Sequence, residues 1–422
     1  MNTGLRKLYR KISLTIKHPN LFLKKGELDK FPKNSSPRWK IKLQLYSLSN
    51  TLKEWNLKKK IGALHCQPHP ISISVWKKLL PYNPNNLGNW SLANQKKLDG
   101  SPKVERQLIK AMIDLYGGSP KSWEGYVTTG ATESNIFSAW AGRNFLKNFC
   151  KMNQMCLVNT SLTHYSISKA ADVVNIQTFS TKLNRKTWSI DLGSLEKTVS
   201  KLYKKGYKGF LIPLTLGYTQ TGTNDDFQAI TRLLKRLEKK LKITTFVWID
   251  AALNGLVLPF TRNNFFPLRN SKIQTFCVDF HKTGMIPIPC GVILYRKSLR
   301  KNIENPIQYI YEKDNTLLGS RSGIPSVAAY SVISLLGKRG FKKVIRECQY
   351  EKRKFKQKVS DRLPNVEITD DQEGVSIGLV SRGPLPQDFL SRYGLFAKKY
   401  TYHFSTRSEK LYIYKAAFLY RK

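Results

Sequence analysis

The sequence predicts an α/β protein, and three observations carry that expectation. Six short apolar runs recur along the chain: GYVTT, MCLVNT, GFLIPLTL, TTFVWID, QTFCVDF and GVILYR. Between them lie amphipathic stretches of helical period, among them Glu133–Phe149, Tyr165–Val174 and Phe227–Leu241. The chain has 422 residues, 41% of them hydrophobic, enough for one large core and a smaller domain. Strands alternating with helices imply βαβ units and a largely parallel sheet, since each parallel crossover needs a helix-length connection.

Residues 1–95 read as a basic N-terminal arm with a helical segment around Lys40–Trp55, and Pro32 and Pro37 interrupt any earlier period. From Val104 to Tyr116 apolar residues recur at helical spacing, and Gly117-Gly118 stops the pattern. The strand–helix alternation fills a large domain over 96–330 and ends near Gly319–Gly323. Residues 331–422 follow with a helix, a charged linker helix and a few strands, as expected of a small C-terminal α+β domain.

Composition narrows the function classes. The net charge is +44, from 72 Lys and Arg against 28 Asp and Glu. Basic residues are spread from Lys24-Lys25 to Lys352-Arg353-Lys354 rather than gathered on one tail or helix. That predicts a uniformly solvated surface and no specific nucleic-acid partner. No stretch approaches the roughly 20 apolar residues of a bilayer-spanning helix. The basic start lacks an apolar signal segment, so the expectation is a cytoplasmic protein with no membrane span. Cys66, Cys150, Cys156, Cys277, Cys290 and Cys348 are scattered without a C-x-x-C pair, which predicts reduced thiols. His65, Cys66 and His69 lie close together, but no second cluster completes a zinc set, and no metal is expected.

In a sheet of this kind, ligands sit beyond the carboxyl ends of the strands. After GYVTT comes Gly130-Ala131-Thr132, where helix-start amides and the Thr132 hydroxyl make a natural phosphate cradle. His164 follows MCLVNT, and Asp250 closes TTFVWID, where a buried carboxylate needs a positive partner. His281-Lys282 follows QTFCVDF, and Gly319-Ser320-Arg321-Ser322-Gly323 sets an arginine among small residues. A phosphate cradle, a flat ring, a buried acid and a lysine, each after a strand, match the needs of pyridoxal phosphate (PLP) chemistry.

These stretches resemble the group II PLP-dependent amino-acid decarboxylases, and most of all the bacterial PLP-type histidine decarboxylases. The resemblance rests on TTGATESNIFSAWAGRN, THYSISKAAD, LGYTQTGTNDD, WIDAALNGLVLPF, HKTGMIPIPCGVIL and QYIYEKDNTLLGSRSG, over roughly residues 83–330. It implies the aminotransferase-like fold (fold type I), with a large, mostly parallel sheet domain and a small C-terminal domain. It also implies PLP as cofactor, an amino-acid substrate and a homodimer with its site at the interface. Lys282 would be the Schiff-base lysine and Asp250 the partner of the pyridine nitrogen, with Ala252 and His164 against the ring. Ala131 and Thr132 would hold the phosphate with help from His281. Arg321 would meet the substrate carboxylate, and Tyr309 would serve as an acid or substrate contact.

The chain departs from the histidine decarboxylases in three places. Asn89-Trp90 lack the acid and proline of their N-N-x-G-D-P. Asp279-Phe280 replaces a Ser-Gly pair before His281, and Ile324-Pro325 replaces a polar pair after GSRSG. The expected reaction is decarboxylation of an amino acid, L-histidine first. Another PLP carbon–carbon lyase, acting on an aromatic amino acid or a phosphorylated amino alcohol, is the alternative. A basic binding protein derived from a PLP enzyme is the alternative of another class, though such a protein has no need of Lys282, Asp250 and His164 together.

Overall fold

The computed structural model describes residues 37–57, 61–88, 100–308 and 312–421; Tyr309, Asn89-Trp90 and residues 1–36 of the N-terminal arm lie outside the described residues. The chain divides into two compact units, Met1–Lys60 and Ile61–Lys422. In the first, the described element is helix α1, Arg38–Leu57, two residues longer at each end than the sequence pattern.

A seven-stranded sheet organises the second unit. Its strands are β1 (Trp123–Thr128), β2 (Met155–Asn159), β3 (Gln177–Ser180), β4 (Gly209–Thr215), β5 (Thr244–Asp250), β6 (Ile273–Asp279) and β7 (Gly291–Arg296). The spatial order is β1-β7-β6-β5-β4-β2-β3. Neighbours from β6 through β3 run parallel, whereas β7 is antiparallel to both β1 and β6. All six predicted strands are present. The seventh, β3, has no apolar run because it is an edge strand paired only to β2 and largely exposed. Strand β4, by contrast, is buried along its whole length, which is why GFLIPLT reads as a continuous apolar run.

Helices cover the sheet. Helices α2 (Pro70–Leu79) and α3 (Ser101–Leu115) precede β1; α4 (Ala131–Leu146) follows β1, α5 (Tyr165–Val173) follows β2, α6 (Leu192–Lys204) follows β3 and α7 (Phe227–Leu241) follows β4. In α7 the residues Phe227, Ile230, Leu233, Leu234 and Leu237 form one buried stripe at helical spacing. Asp226 starts that helix by accepting the Ala229 N–H at 2.9 Å, and Lys242 ends it in the left-handed region. Replacing Asp226 with Ala would remove that cap at about 1 kcal/mol.

The four-residue helix α8 (Phe280–Thr283) follows β6 directly. Helix α9, Ile324–Arg362, then crosses the predicted 330/331 boundary and bends at Gly337, whose φ of 55° breaks the helical path. Its second half packs Phe355 and Val359 against Ile377, Leu379, Tyr414 and Ala416 of a second sheet. That sheet is antiparallel, β8 (Glu367–Asp370), β9 (Ser376–Ser381), β10 (Tyr400–His403) and β11 (Ser408–Ala417), in the order β8-β9-β11-β10. The architecture is therefore the predicted α/β domain with a small α+β domain near the C-terminus.

The segment from Ile61 belongs to this larger unit. Backbone bonds tie Gln67 to Tyr420 and His69 to Met285, both at 2.8 Å. His69 caps α2 through the Ile71 N–H, and the Cys66 thiol donates to the His281 carbonyl at 3.3 Å. Burial pushes the Cys66 thiol up to about 12. The HCQPHP stretch thus serves as cap and backbone tie; among the described residues no group of His, Cys, Asp or Glu is placed to hold a metal ion. No described helix is long and apolar enough to cross a membrane.

Candidate active site

Five strand ends, those of β1, β2, β4, β5 and β6, meet at one cavity of about 250 Å³. Strand β1 brings Thr129 and Gly130 to the start of α4, and β2 leads to His164 at the start of α5. Strands β5 and β6 end on Asp250 and Asp279, and α8 carries His281 and Lys282. The cavity wall includes Ala131, Thr132, His164, Asp250, Ala252, Asp279, His281 and Lys282. Leu64, Thr215, Gly217, Tyr218, Thr219 and Leu253 complete it. Gly130 takes a φ of 152°, and a Cβ there would lie 3.0 Å from the His281 ring, so glycine is required for β1 to turn into α4.

Asp250 is oriented by a buried polar chain. Trp248 Nε1–H donates to Asn135 Oδ1 at 3.1 Å, and Asn135 Nδ2 donates to Asp250 Oδ2 at 2.8 Å. The same amide nitrogen donates to Ser166 Oγ at 3.0 Å, and Ser166 Oγ lies 2.8 Å from His164 Nδ1. Asn135 uses its oxygen and its nitrogen at once, which fixes both Asp250 and His164 from one fully buried amide. The other Asp250 oxygen accepts the Ala252 N–H at 3.1 Å. A carboxylate has about four lone-pair sites, so acceptor capacity remains toward the cavity.

Lys282 Nζ lies 2.9 Å from Asp279 Oδ2. Burial works against the lysine's charge, but the Asp279 and Asp250 carboxylates outweigh it and hold Lys282 above the usual lysine value. His164 moves the other way. Burial lowers it, Lys282 and Lys415 add to the effect, and the pull of Asp250 and Asp279 does not compensate. Lys415 belongs to β11, so the small domain contributes a positive field to this site. At the start of α4, Glu133 accepts the Thr129 N–H at 2.7 Å, and burial raises its carboxyl above the usual range. Among the described residues nothing bonds to the Thr132 N–H or hydroxyl.

Arg321 stands elsewhere. It is 8% exposed, and Nη1 meets Glu105 Oε1 at 2.7 Å and the Val127 carbonyl at 2.8 Å. Nη2 donates to the Gly88 carbonyl at 2.6 Å, and the guanidinium lies 4.8 Å from the Tyr126 ring centroid. Glu105 also accepts from the Val127 N–H and from Asn86. This paired, hydrogen-bonded cluster pins the GSRSG stretch to the sheet edge, and Arg321 is not among the residues that wall the cavity. Gly323 is needed there because a Cβ would fall 2.2 Å from Ser101 Oγ. Sequence reading missed Asn135, Ser166 and Trp248; the only local signal was a polar residue inside the first turns of α4 and α5.

An amine held beside a buried acid with spare acceptor capacity, a buried ring, and open donors at a helix start together fit PLP. The fold and the site define a PLP-dependent enzyme. The chain belongs to the pyridoxal-dependent decarboxylase family: the model of the pyridoxal-dependent decarboxylase conserved domain matches residues 103–381. It is a PLP-dependent carboxy-lyase by family. Among its relatives, a tryptophan decarboxylase of Clostridium sporogenes is 28% identical over 66% of this chain and 67% of its own length. A histidine decarboxylase of Vibrio anguillarum is 26% identical over 62% of this chain and 65% of its own length. The L-methionine decarboxylase of Streptomyces sp. 590 shares the fold, with a TM-score of 0.77 and 18% identity over 94% of both chains. The family match extends past residue 330, beyond the reach of the sequence motifs.

Proposed function

We propose that the chain decarboxylates L-histidine to histamine as a homodimer in the cytoplasm, using Lys282, Asp250 and His164. The observation that carries the amino-acid reading is the meeting of these three side chains in one cavity. When bound, PLP supplies a conjugated electron sink for the pair left on the substrate Cα as the carboxylate departs. Lys282 would hold the cofactor through its amine. Asp250, braced by Asn135, would hold a proton on the pyridine nitrogen. His164 and Ala252 bound the ring, and the lowered His164 stays neutral, so it adds no cation beside that proton. Thr132 would offer the phosphate its N–H and hydroxyl at the start of α4, with Ala131 and His281 beside it, and Tyr309 is the candidate acid for Cα.

The histidine reading is supported by IPIPCG at 286–291 and GSR at 319–321, which most resemble that branch of the family. The similarity to a tryptophan decarboxylase favours a second reading, an aromatic amino acid. A panel of common amino acids with carbon dioxide trapping and amine identification separates them. Histamine as dominant product supports the first reading, and tryptamine or tyramine the second. No carbon dioxide from any amino acid, with cleavage of a phosphorylated amino alcohol, would overturn both. Borohydride treatment followed by peptide mapping should place the cofactor on the Lys282 peptide, and sedimentation should give twice the chain mass.

A further inference from the structure

Asp279 is the last residue of β6, three positions before Lys282, and its side chain is only 3% exposed. One oxygen accepts the Ala131 N–H, the first amide of α4, at 2.7 Å. The other lies 2.9 Å from Lys282 Nζ and 3.5 Å from His281 Nε2. Ala131 and His281 are the groups expected to receive the cofactor's phosphate. A fixed carboxylate therefore already sits among the donors of the anion seat. Gly291, its partner across β6 and β7, leaves room for it, since a Cβ there would lie 3.0 Å from Oδ1.

We propose that Asp279 is a built-in counter-anion that lowers the site's selectivity for phosphorylated over unphosphorylated pyridoxine-type ligands. The inference rests on reading the cavity as the PLP site. The Ala131 amide has one hydrogen, and Asp279 holds it. Among the described residues nothing bonds to the Thr132 N–H or hydroxyl, so a phosphate retains donors but meets a neighbour of its own sign. Like charges at a few ångströms in a buried setting repel strongly, and screening by salt is weak there. The ring end, through Lys282 and Asp250, then carries a larger share of cofactor retention than the phosphate end.

The test compares pyridoxine 5′-phosphate with pyridoxine, alcohols that do not condense with Lys282. Their dissociation constants are measured on the full-length chain stripped of cofactor, and on Asp279→Asn and Asp279→Ser. Contacts to the ring are common to both ligands, so the ratio reads the charge that the phosphate meets. The expected result is a preference for the phosphate ester below about a hundredfold in the unaltered protein, the worth of one or two charge-assisted hydrogen bonds. In both variants that preference should rise by about tenfold or more. An unchanged or smaller ratio in the variants overturns the proposal. If neither variant folds, the unaltered protein decides, and a preference above about a hundredfold overturns it. Binding of neither ligand by the unaltered protein overturns the cofactor-site reading itself, a result distinct from both binding at an unchanged ratio.

Discussion

Asp250 and Asp279 end adjacent parallel strands, and both are buried, at 5% and 2% exposure. By residue type, strand position and depth they are near equivalents. Their partners separate them. Asp250 rests on neutral donors, the Asn135 amide and the Ala252 N–H, and keeps capacity toward the cavity. Asp279 is engaged by the first amide of α4 and the Lys282 ammonium. The lesson is that a buried carboxylate becomes available for chemistry when its own cage is neutral and incomplete. One already paired with a cation and a helix start serves instead as a fixed charge.

The comparison can be broken at four points. The largest effect should come from Lys282→Ala, which removes the amine that both acids face. Turnover should fall to background, and borohydride should fix no cofactor to the chain; normal turnover would mean the cofactor lysine is misassigned. Asp250→Asn should come next. A neutral amide cannot hold a proton on the pyridine nitrogen, so kcat should drop by about a hundredfold or more, near 2.7 kcal/mol of barrier. A loss under about threefold would leave Asp250 no more important than its neighbour and remove the contrast.

Asn135→Ala tests whether the neutral cage matters. It strips a donor from Asp250 and leaves the Trp248 indole without its acceptor, which should lower unfolding free energy by about 2–3 kcal/mol. Steady-state kinetics should show kcat down by about tenfold with KM much less changed. Stability lost at unaltered kcat would reduce Asn135 to a structural residue.

The smallest effect concerns His164, at the far end of the same chain. Its folded-state value lies below that of the unfolded chain, so the unfolded state takes up the proton first as pH falls. The stability it contributes is complete above the ordinary histidine value near 6.5 and is lost as pH drops toward the folded value. The Ser166 N–H donates to His164 Nδ1 at 3.3 Å, and His164→Asn supplies a side-chain oxygen to accept it instead. Urea titrations between pH 7 and 5 should therefore show a shallower loss of stability in the variant, by at most the 1.4 kcal/mol per pH unit of one proton. Parallel pH profiles for the two proteins would sink the assignment.

The α/β class, the six apolar strands, and the places of Lys282, Asp250 and His164 after strand ends were legible from local residue patterns. Each of those signals is local: a strand buried on both faces must be apolar throughout, and a polar residue just beyond it stands where loops face the ligand. The edge strand β3 escaped because a strand with one neighbour and an exposed face carries no such run. Pairing was beyond local reading. Asn135 meets Asp250 across 115 positions, and Arg321 meets Glu105 across 216, so no spacing rule links them. Arg321 shows the consequence, since an arginine among small residues looks like a ligand contact until the fold supplies its carboxylate. The same holds for Asp279, which the sequence shows only as a departure from a Ser-Gly pair. Its role depends on α4 and α8 converging on one carboxylate, and that convergence is set by how the helices pack over the sheet.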